Sequence, residues 1–416
     1  MILYRYNRKS LLYLFFLERR ITLVLTAKQE EALKITVSRF KNGEPYTCIA
    51  GYAGTGKSTV IPYIIEALGV DPDLDVAYCA FTGKAATVLA QKGCANAITA
   101  HKLIYWADEK SDGTFNFRKR KVLEVPCKIV VVDEVSMLPK QMWEDLLSFK
   151  TYVIALGDPF QLPTINPKDD NGVLQKPHVF LDEVMRQAKE NEIIRLTMGI
   201  RNMQPLSIFR GNDVQIFQKE ELTSGMLLWS DIVLCATNQK RTDINSQVRE
   251  LLGKGEAPEI GDKIIGLHNE WNVLSSEGSP LTNGVIGQIT SLKKVSRALP
   301  RNLHFQGKMT YLQSDILTEN NETFNRIGID YNFIMNGEKT LTNKQKKALS
   351  KNPYYENSVP YEFAYGYAIT VHKAQGSQWD KVLVLEEWFP NDPVEHARWV
   401  YTAATRAAQK LVIIKR

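Results

Sequence analysis

Gly51-Tyr-Ala-Gly54-Thr55-Gly56-Lys57-Ser58 fits the spacing GxxxxGK[ST] at every fixed position. These residue types together suit the grip on a polyphosphate. Glycines let the backbone curl until its N–H groups face phosphate oxygens. The Lys57 ammonium reaches the outer phosphates, and the Ser58 hydroxyl suits a Mg²⁺ ion. Thr55 and Thr59 belong to the same cradle. A second pattern, Ile129-Val-Val-Val-Asp133-Glu134, ends an apolar run on two adjacent carboxylates. A strand buried on both faces does not end on two acids without a use for them. Asp133 suits the shell of the Mg²⁺ ion, and Glu134 suits a general base on an attacking water. The two patterns predict a site that binds a nucleoside triphosphate with Mg²⁺ and can hydrolyse it.

The elements that must position these groups follow from hydropathy. Apolar runs such as TCIA, VAYCA, IVVV, YVIAL, IVLC and VLVL each end in a small or polar residue. Helical stretches separate them. Continuous apolar strands alternating with helices imply parallel sheets covered on both faces. In such sheets ligands bind beyond the carboxyl ends of the strands, and every motif considered is expected there. The expected fold is α/β: two RecA-like parallel-sheet domains in tandem. Residues 21–185 form the first, with a β-hairpin inserted at 105–127. Residues 186–416 form the second, with a β-rich, SH3-like insert at 285–360. The hairpin is signalled by Asp112-Gly113. The second insert holds a lysine-rich helix candidate, Thr342 to Ser350, whose Lys344, Lys346 and Lys347 read as a solvated face or a strand contact.

The totals set bounds. The chain has 416 residues, 44% hydrophobic and 24% charged, which is ordinary for a soluble multi-domain protein. Net charge is +6. Arg5, Arg8, Lys9, Arg19 and Arg20 against Glu18 place +4 of it in the first twenty residues. An anionic partner is therefore held by a local groove rather than a global field. Five cysteines form no CxxC pair, so zinc and a disulfide framework are not expected. The run Leu11–Leu17 is shorter than the ~20 residues that span a bilayer, and no small-residue cleavage site follows it. Residues 1–20 are either a packing segment or a leader from a mis-assigned start codon. A cytoplasmic monomer without a membrane partner is expected.

Other motifs resemble those of superfamily 1 DNA helicases of the RecD and phage Dda kind, over roughly residues 25–416. Gly157-Asp-Pro-Phe-Gln161 resembles motif III, which implies that Gln161 senses the γ-phosphate. Leu25-Thr-Ala-Lys-Gln29 resembles the segment whose glutamine reads adenine. Leu181 to Gln187 resembles motif IV, with Arg186 reaching the γ-phosphate. Tyr365 to Gly376 resembles motif V, and Tyr401 to Ala407 resembles motif VI, with Arg406 as a second arginine finger. The resemblance places Gly376 at the nucleotide. It also implies a site completed by arginines from the second domain, and hydrolysis that opens and closes the cleft.

It further implies an ATP-dependent helicase that moves 5′ to 3′ on single-stranded DNA and unwinds duplex junctions, alongside replication or recombination proteins. Strand contacts are expected from Thr82 and Lys84 (motif Ia), Thr99 and His101 (motif Ib), and Thr370, His372 and Lys373 (motif V). In the hairpin, Phe115 and Phe117 would stack at the junction, with Arg118-Lys-Arg-Lys121 on phosphates. Three other readings stay open: a motor subunit of a larger recombination or nuclease complex, an RNA helicase or translocase, and a binding module that keeps the fold.

Overall fold

The computed structural model describes residues 25–94, 97–109, 115–163, 167–184, 190–299, 308–319, 321–350 and 359–416. The segment 1–20, Arg186 and the hairpin tip 110–114 lie outside the described residues. By contact density the chain divides into two units. One comprises Met1–Phe81, Ala85–Tyr105 and Lys119–Ile194; the other comprises Thr82–Lys84, Trp106–Arg118 and Arg195–Arg416.

The strands of the first half are β1 (Tyr46–Gly51), β2 (Val76–Ala80), β3 (Ile98–Thr99), β4 (Tyr105–Glu109), β5 (Phe115–Lys119), β6 (Ile129–Val132), β7 (Tyr152–Gly157) and β8 (Val179–Leu181). Six of them form one parallel sheet in the order β3-β2-β6-β7-β1-β8. Side chains alternate across a strand, so Val130 and Val132 pack into one core and Ile129 and Val131 into another. The first core is closed by Leu103, Met142, Trp143 and Leu146. The second is closed by Ala32, Val60, Ile61, Ile64 and Ile65. Both faces are dry, so each strand reads as unbroken apolar sequence. Burying each Val or Ile stabilises by roughly 1.5–3 kcal/mol. β4 and β5 pair as a separate two-stranded ribbon.

The second half carries β9 (Phe209–Arg210), β10 (Val214–Phe217), β11 (Ile232–Cys235), β12 (Lys263–Gly266), β13 (Glu270–Leu274), β14 (Pro280–Leu281), β15 (Ile286–Ala298), β16 (Lys308–Thr318), β17 (Thr323–Asp330), β18 (Pro360–Tyr361), β19 (Phe363–Tyr365), β20 (Ala368–Thr370), β21 (Trp379–Leu385) and β22 (Ala407–Ile414). A second sheet has the order β20-β11-β21-β22-β10-β9, parallel except for the edge strand β9. A third sheet, β18-β17-β16-β15-β12-β19, is antiparallel apart from the β17–β18 pair. It draws in β12 and β19, which flank the stretch 285–360 expected for the insert. Their short runs KIIG and FAY look like any α/β strand until their partners are known.

Two buried ion clusters hold this unit. Asp262, fully buried, accepts from Arg249 Nε at 3.1 Å and Nη2 at 3.2 Å, from the Glu259 backbone N–H at 2.7 Å and from the Tyr367 hydroxyl at 2.9 Å. Glu362 meets His268 at 2.5 Å, Lys346 at 2.7 Å and Lys339 at 2.9 Å. Burial alone would raise the Glu362 pKa, but these hydrogen bonds outweigh it and hold the carboxyl well below its usual range. Lys346 is therefore tied inward rather than part of a solvated face. Removing one partner of a buried pair leaves the other charge uncompensated. We expect Asp262→Ala to destabilise the second unit by about 3–5 kcal/mol, read as a lower denaturant midpoint. A loss below about 1 kcal/mol would show that solvent replaces the carboxylate.

Candidate nucleotide and nucleic-acid site

β1 ends at Gly51, and the chain then turns through Gly54 (φ 76°) and Gly56 (φ 77°) into the helix Lys57–Leu68. Both glycines sit in the left-handed region that a Cβ disfavours. At Gly51 a Cβ would lie 2.8 Å from the Leu181 Cβ and 2.9 Å from the Leu181 carbonyl oxygen, so β8 packs directly on this residue. Thr55, 1% exposed, donates its hydroxyl to the Tyr52 carbonyl at 2.8 Å.

Gln29 braces the loop from below. It is 1% exposed and donates from Nε2 to the Thr55 carbonyl at 3.3 Å. Its Oε1 accepts from the Thr26 N–H at 3.0 Å, and Thr26 Oγ1 in return accepts the Gln29 N–H, a capping box on the helix Ala27–Lys41. The carboxamide is thus anchored to the loop at one end and to the helix start at the other. Lys57 Nζ donates to the Gly51 and Tyr52 carbonyls at 2.8 and 2.9 Å. Ser58 and Thr59 follow in the first turn of the helix.

Asp133 and Glu134 follow β6, two strands from β1 in the sheet, a lateral separation of about 10 Å. The strand between them is β7, which delivers Asp158 and Gln161. All these groups stand at the carboxyl ends of neighbouring strands. Asp133 Oδ1 accepts the Glu134 N–H at 3.0 Å. Glu134 itself is left-handed, φ 51° and ψ 50°, an uncommon conformation for a residue with a Cβ. Asn171 holds the turn that follows, donating to the Val135 and Leu138 carbonyls at 2.7 and 2.8 Å. A cradle of backbone donors, an ammonium, a hydroxyl and a carboxylate is a donor set that fits a Mg²⁺-nucleotide.

Thr99 ends β3, and its hydroxyl accepts the Lys102 N–H at 3.2 Å. The His101 ring lies 5.5 Å from Phe81 and 6.2 Å from Tyr105. Burial pushes the pKa of His101 and of His372 below the usual imidazole value, because it disfavours the charged ring. Thr82 and Lys84 group with the second unit. There the Lys84 ammonium meets Glu319 at 3.1 Å and lies 4.2 Å from the Trp379 ring centroid. In the β4–β5 ribbon Phe117 is exposed, while the Phe115 side chain lies outside the described residues. The basic run beside it is partly used internally: Lys119 meets Asp145 at 3.6 Å, and Arg120 is buried against Glu124 and the Tyr105 carbonyl.

In the second sheet Thr370 ends β20, and His372 and Lys373 lie in the short helix after it. Burial, then the charge of Arg241, pushes the Lys373 pKa down. Gly376 (φ 73°) and Arg406 sit together at the opposite edge of the same sheet. Arg406, 5% exposed, donates to the Thr402 carbonyl at 3.1 Å, the Ser377 carbonyl at 3.3 Å and Thr405 Oγ1 at 3.0 Å. The register sets Thr370 level with Leu385 and Ala407 level with Trp379. Six residues of strand, about 20 Å, separate the two edges. The expectation that every motif lies at carboxyl ends is thus corrected. Arg406 follows the helix Pro393–Ala404, which runs back along the sheet and delivers it to the start of β22.

Sequence reasoning missed three polar anchors. Besides Asn171, these are Asn245, which accepts the Tyr367 and Ala368 N–H groups, and Glu387, which accepts from Ala236 and Thr237. None belongs to a spaced motif.

A glycine cradle at one strand end, with an acid pair two strands away, defines a P-loop nucleotide-binding domain. Residues 24–214 match the AAA domain family, and residues 365–414 match the UvrD-like helicase C-terminal domain. The chain is 27% identical over 390 residues to the ATP-dependent RecD2 DNA helicase of Deinococcus radiodurans, covering 88% of this chain and 46% of that protein. It is 27% identical over 282 residues to the ATP-dependent DNA helicase dda of Enterobacteria phage T4, covering 62% and 64%. The chain thus spans about half to two-thirds of the length of these relatives. The fold resembles that of Bacteroides Pif1 bound to single-stranded DNA, with TM-score 0.53, 17% identity and coverage of 94% and 92%. By these matches the chain is similar to superfamily 1 helicases of the RecD and Dda kind, and its fold resembles that of Pif1.

Because Gly51 touches β8, Gly51→Ala forces the β1–β8 pair apart. We expect a stability loss of about 1–3 kcal/mol, typical of overpacking, with weaker binding of a fluorescent ATP analogue. Unchanged affinity would show that the cradle tolerates displacement of its first residue.

Proposed function

We propose that this chain is an ATP-hydrolysing motor that translocates on single-stranded DNA, 5′ to 3′, and unwinds duplex DNA at junctions. One observation carries the reading. The phosphate cradle, the Asp133–Glu134 pair and the loop bearing Gln161 converge at one sheet edge. A second parallel sheet on the same chain carries Arg406 at one edge and Thr370, His372 and Lys373 at the other. The relatives whose names state ATP-dependent DNA helicase activity support it.

In this reading Lys57 exchanges the Gly51 and Tyr52 carbonyls for phosphate oxygens. Glu134 takes the proton of the attacking water, and Gln161 reports the state of the γ-phosphate. Ser58 and Asp133 would hold Mg²⁺, which neutralises charge developing on the phosphates. Arg406 supplies further positive charge to the transferred phosphoryl group, an effect worth ~10³–10⁵ in rate. Arg186 is assigned the same task. The cradle's Gln29 and Thr55, together with Gly376, position the nucleotide. Thr82, Lys84, Thr99, His101, Phe115 and Phe117 are proposed strand contacts beside the motif V residues. One ATP exceeds the mean ~1.4 kcal/mol of a base-pair step, so hydrolysis is sufficient to drive unwinding.

ATP hydrolysis measured with and without single-stranded DNA, beside unwinding of 5′- and 3′-tailed duplexes, tests this. We expect stimulation by DNA and unwinding of the 5′-tailed duplex. No stimulation overturns the motor, and unwinding confined to 3′ tails overturns the polarity. Lys57→Ala should abolish hydrolysis while sparing strand binding, and retained hydrolysis would refute the cradle assignment.

A further inference from the structure

The loop that follows β21 carries the most exposed aromatic pair among the described residues. Trp388 is 72% exposed and Phe389 is 55% exposed. Leaving two such rings in water is unfavourable, and the loop is not loose. Glu387, immediately before them, accepts hydrogen bonds from the Ala236 N–H at 2.5 Å, the Thr237 N–H at 3.3 Å and the Thr237 hydroxyl at 3.1 Å. Glu386 accepts from His396 Nε2 at 2.8 Å and from the Arg416 N–H at 3.1 Å. Asp392 caps the helix Pro393–Ala404. The rings are thus held outward on an anchored backbone, and the acids beside them are engaged by donors.

Their place in the sheet says what they face. β21 is separated from β20 by β11 alone, and all three strands are parallel. Leu385 is level with Thr370, so the Trp388 loop and the motif V residues stand at one sheet edge, about 10 Å apart laterally. That edge is cationic. Lys240 and Arg241 open the helix after β11, and Arg241 is near enough to Lys373 to lower its pKa. The Arg416 guanidinium lies 4.0 Å from the centroid of the Trp388 ring. A flat ring with a cation on one face, beside a row of lysines and arginines, matches the chemistry of single-strand binding, in which bases stack on aromatics and cations follow the phosphates. A protein-docking patch also favours Trp, Phe and Arg but is depleted in lysine, whereas Lys240 and Lys373 stand at this edge.

We infer that Trp388, with Phe389 beside it, is a base-stacking platform for the single strand, with Arg416, Lys240 and Arg241 as phosphate contacts. This rests on the reading above that the chain binds single-stranded nucleic acid. The platform extends the strand path from motif V across β11 to β21.

The test is equilibrium binding of the whole chain to a fluorescein-labelled oligo-dT by anisotropy, at fixed and then varied salt. Trp388→Ala should weaken binding about 5- to 150-fold, the loss of one stacked base. Trp388→Phe keeps a stacking ring and should stay within about threefold. The dependence of affinity on salt should be unchanged in both, because no phosphate contact is removed. Arg416→Ala should make that dependence shallower. Circular dichroism melting confirms that the variants are folded; the side chain is mostly in water, so no shift is expected. Wild-type affinity in Trp388→Ala would overturn the platform and assign the pair to a protein partner. Equal losses in the alanine and phenylalanine variants would also overturn it. Failure of the unaltered protein to bind the oligonucleotide would overturn the parent reading instead.

Discussion

The dryness of both faces of the parallel sheets governs everything else in this protein. Ile129 to Val132 are buried between two cores, so no polar chemistry can sit along that strand. Charged and hydrogen-bonding groups are pushed to the strand ends, where backbone donors and solvent are available. The cradle begins where β1 stops, the acid pair where β6 stops, and the Gln161 loop where β7 stops. Strand order then becomes site geometry. With β7 between β6 and β1, the residue best placed to sense both the acids and the phosphate loop is one carried by β7.

The same constraint acts on the second sheet but divides its chemistry. Thr370, His372 and Lys373 stand at the carboxyl edge, and Gly376 and Arg406 at the amino edge. A single motif, from Tyr365 to Gly376, crosses the sheet from one edge to the other. Its short helix and the residues after it link the two edges. Asn245 and the Tyr367–Asp262–Arg249 cluster hold the start of this segment against the rest of the unit. The polar interior is concentrated where the segment must keep its position.

Much of this was legible because the chemistry repeats at fixed spacing. The pattern from Gly51 to Ser58 needs its glycines at the left-handed turns found at Gly54 and Gly56. IVVV followed by Asp-Glu signals a strand dry on both sides. What the sequence could not convey is pairing. Nothing in KIIG or FAY says that they join an antiparallel sheet rather than a parallel one. Nothing in EEWFPNDP separates a buried Trp from an exposed one; that depends on Glu387 finding the Ala236 and Thr237 amides. Asn171 and Asn245 are invisible for the same reason, since a lone amide has no period. The basic run Arg118 to Lys121 reads as uniform, yet Arg120 turns inward to Glu124 while Arg118 is exposed.

Two of the cations proposed for the phosphates, Lys57 and Arg406, share one feature. Lys57 is held by the carbonyls of Gly51 and Tyr52, and Arg406 by those of Thr402 and Ser377. A cation drawn out of water without such partners would be costly; Arg406 is buried, and its carbonyl partners offset that cost. A cation makes a charge-assisted bond to either a carbonyl or a phosphate oxygen, but the phosphate carries its own negative charge and adds Coulomb attraction. Engaging phosphate is therefore an exchange of bonds rather than the creation of new ones. Because bonds are exchanged, the net gain is smaller than the sum of the new bonds, and the exchange can be reversed. A site that must let go of its product after every hydrolysis depends on that reversibility.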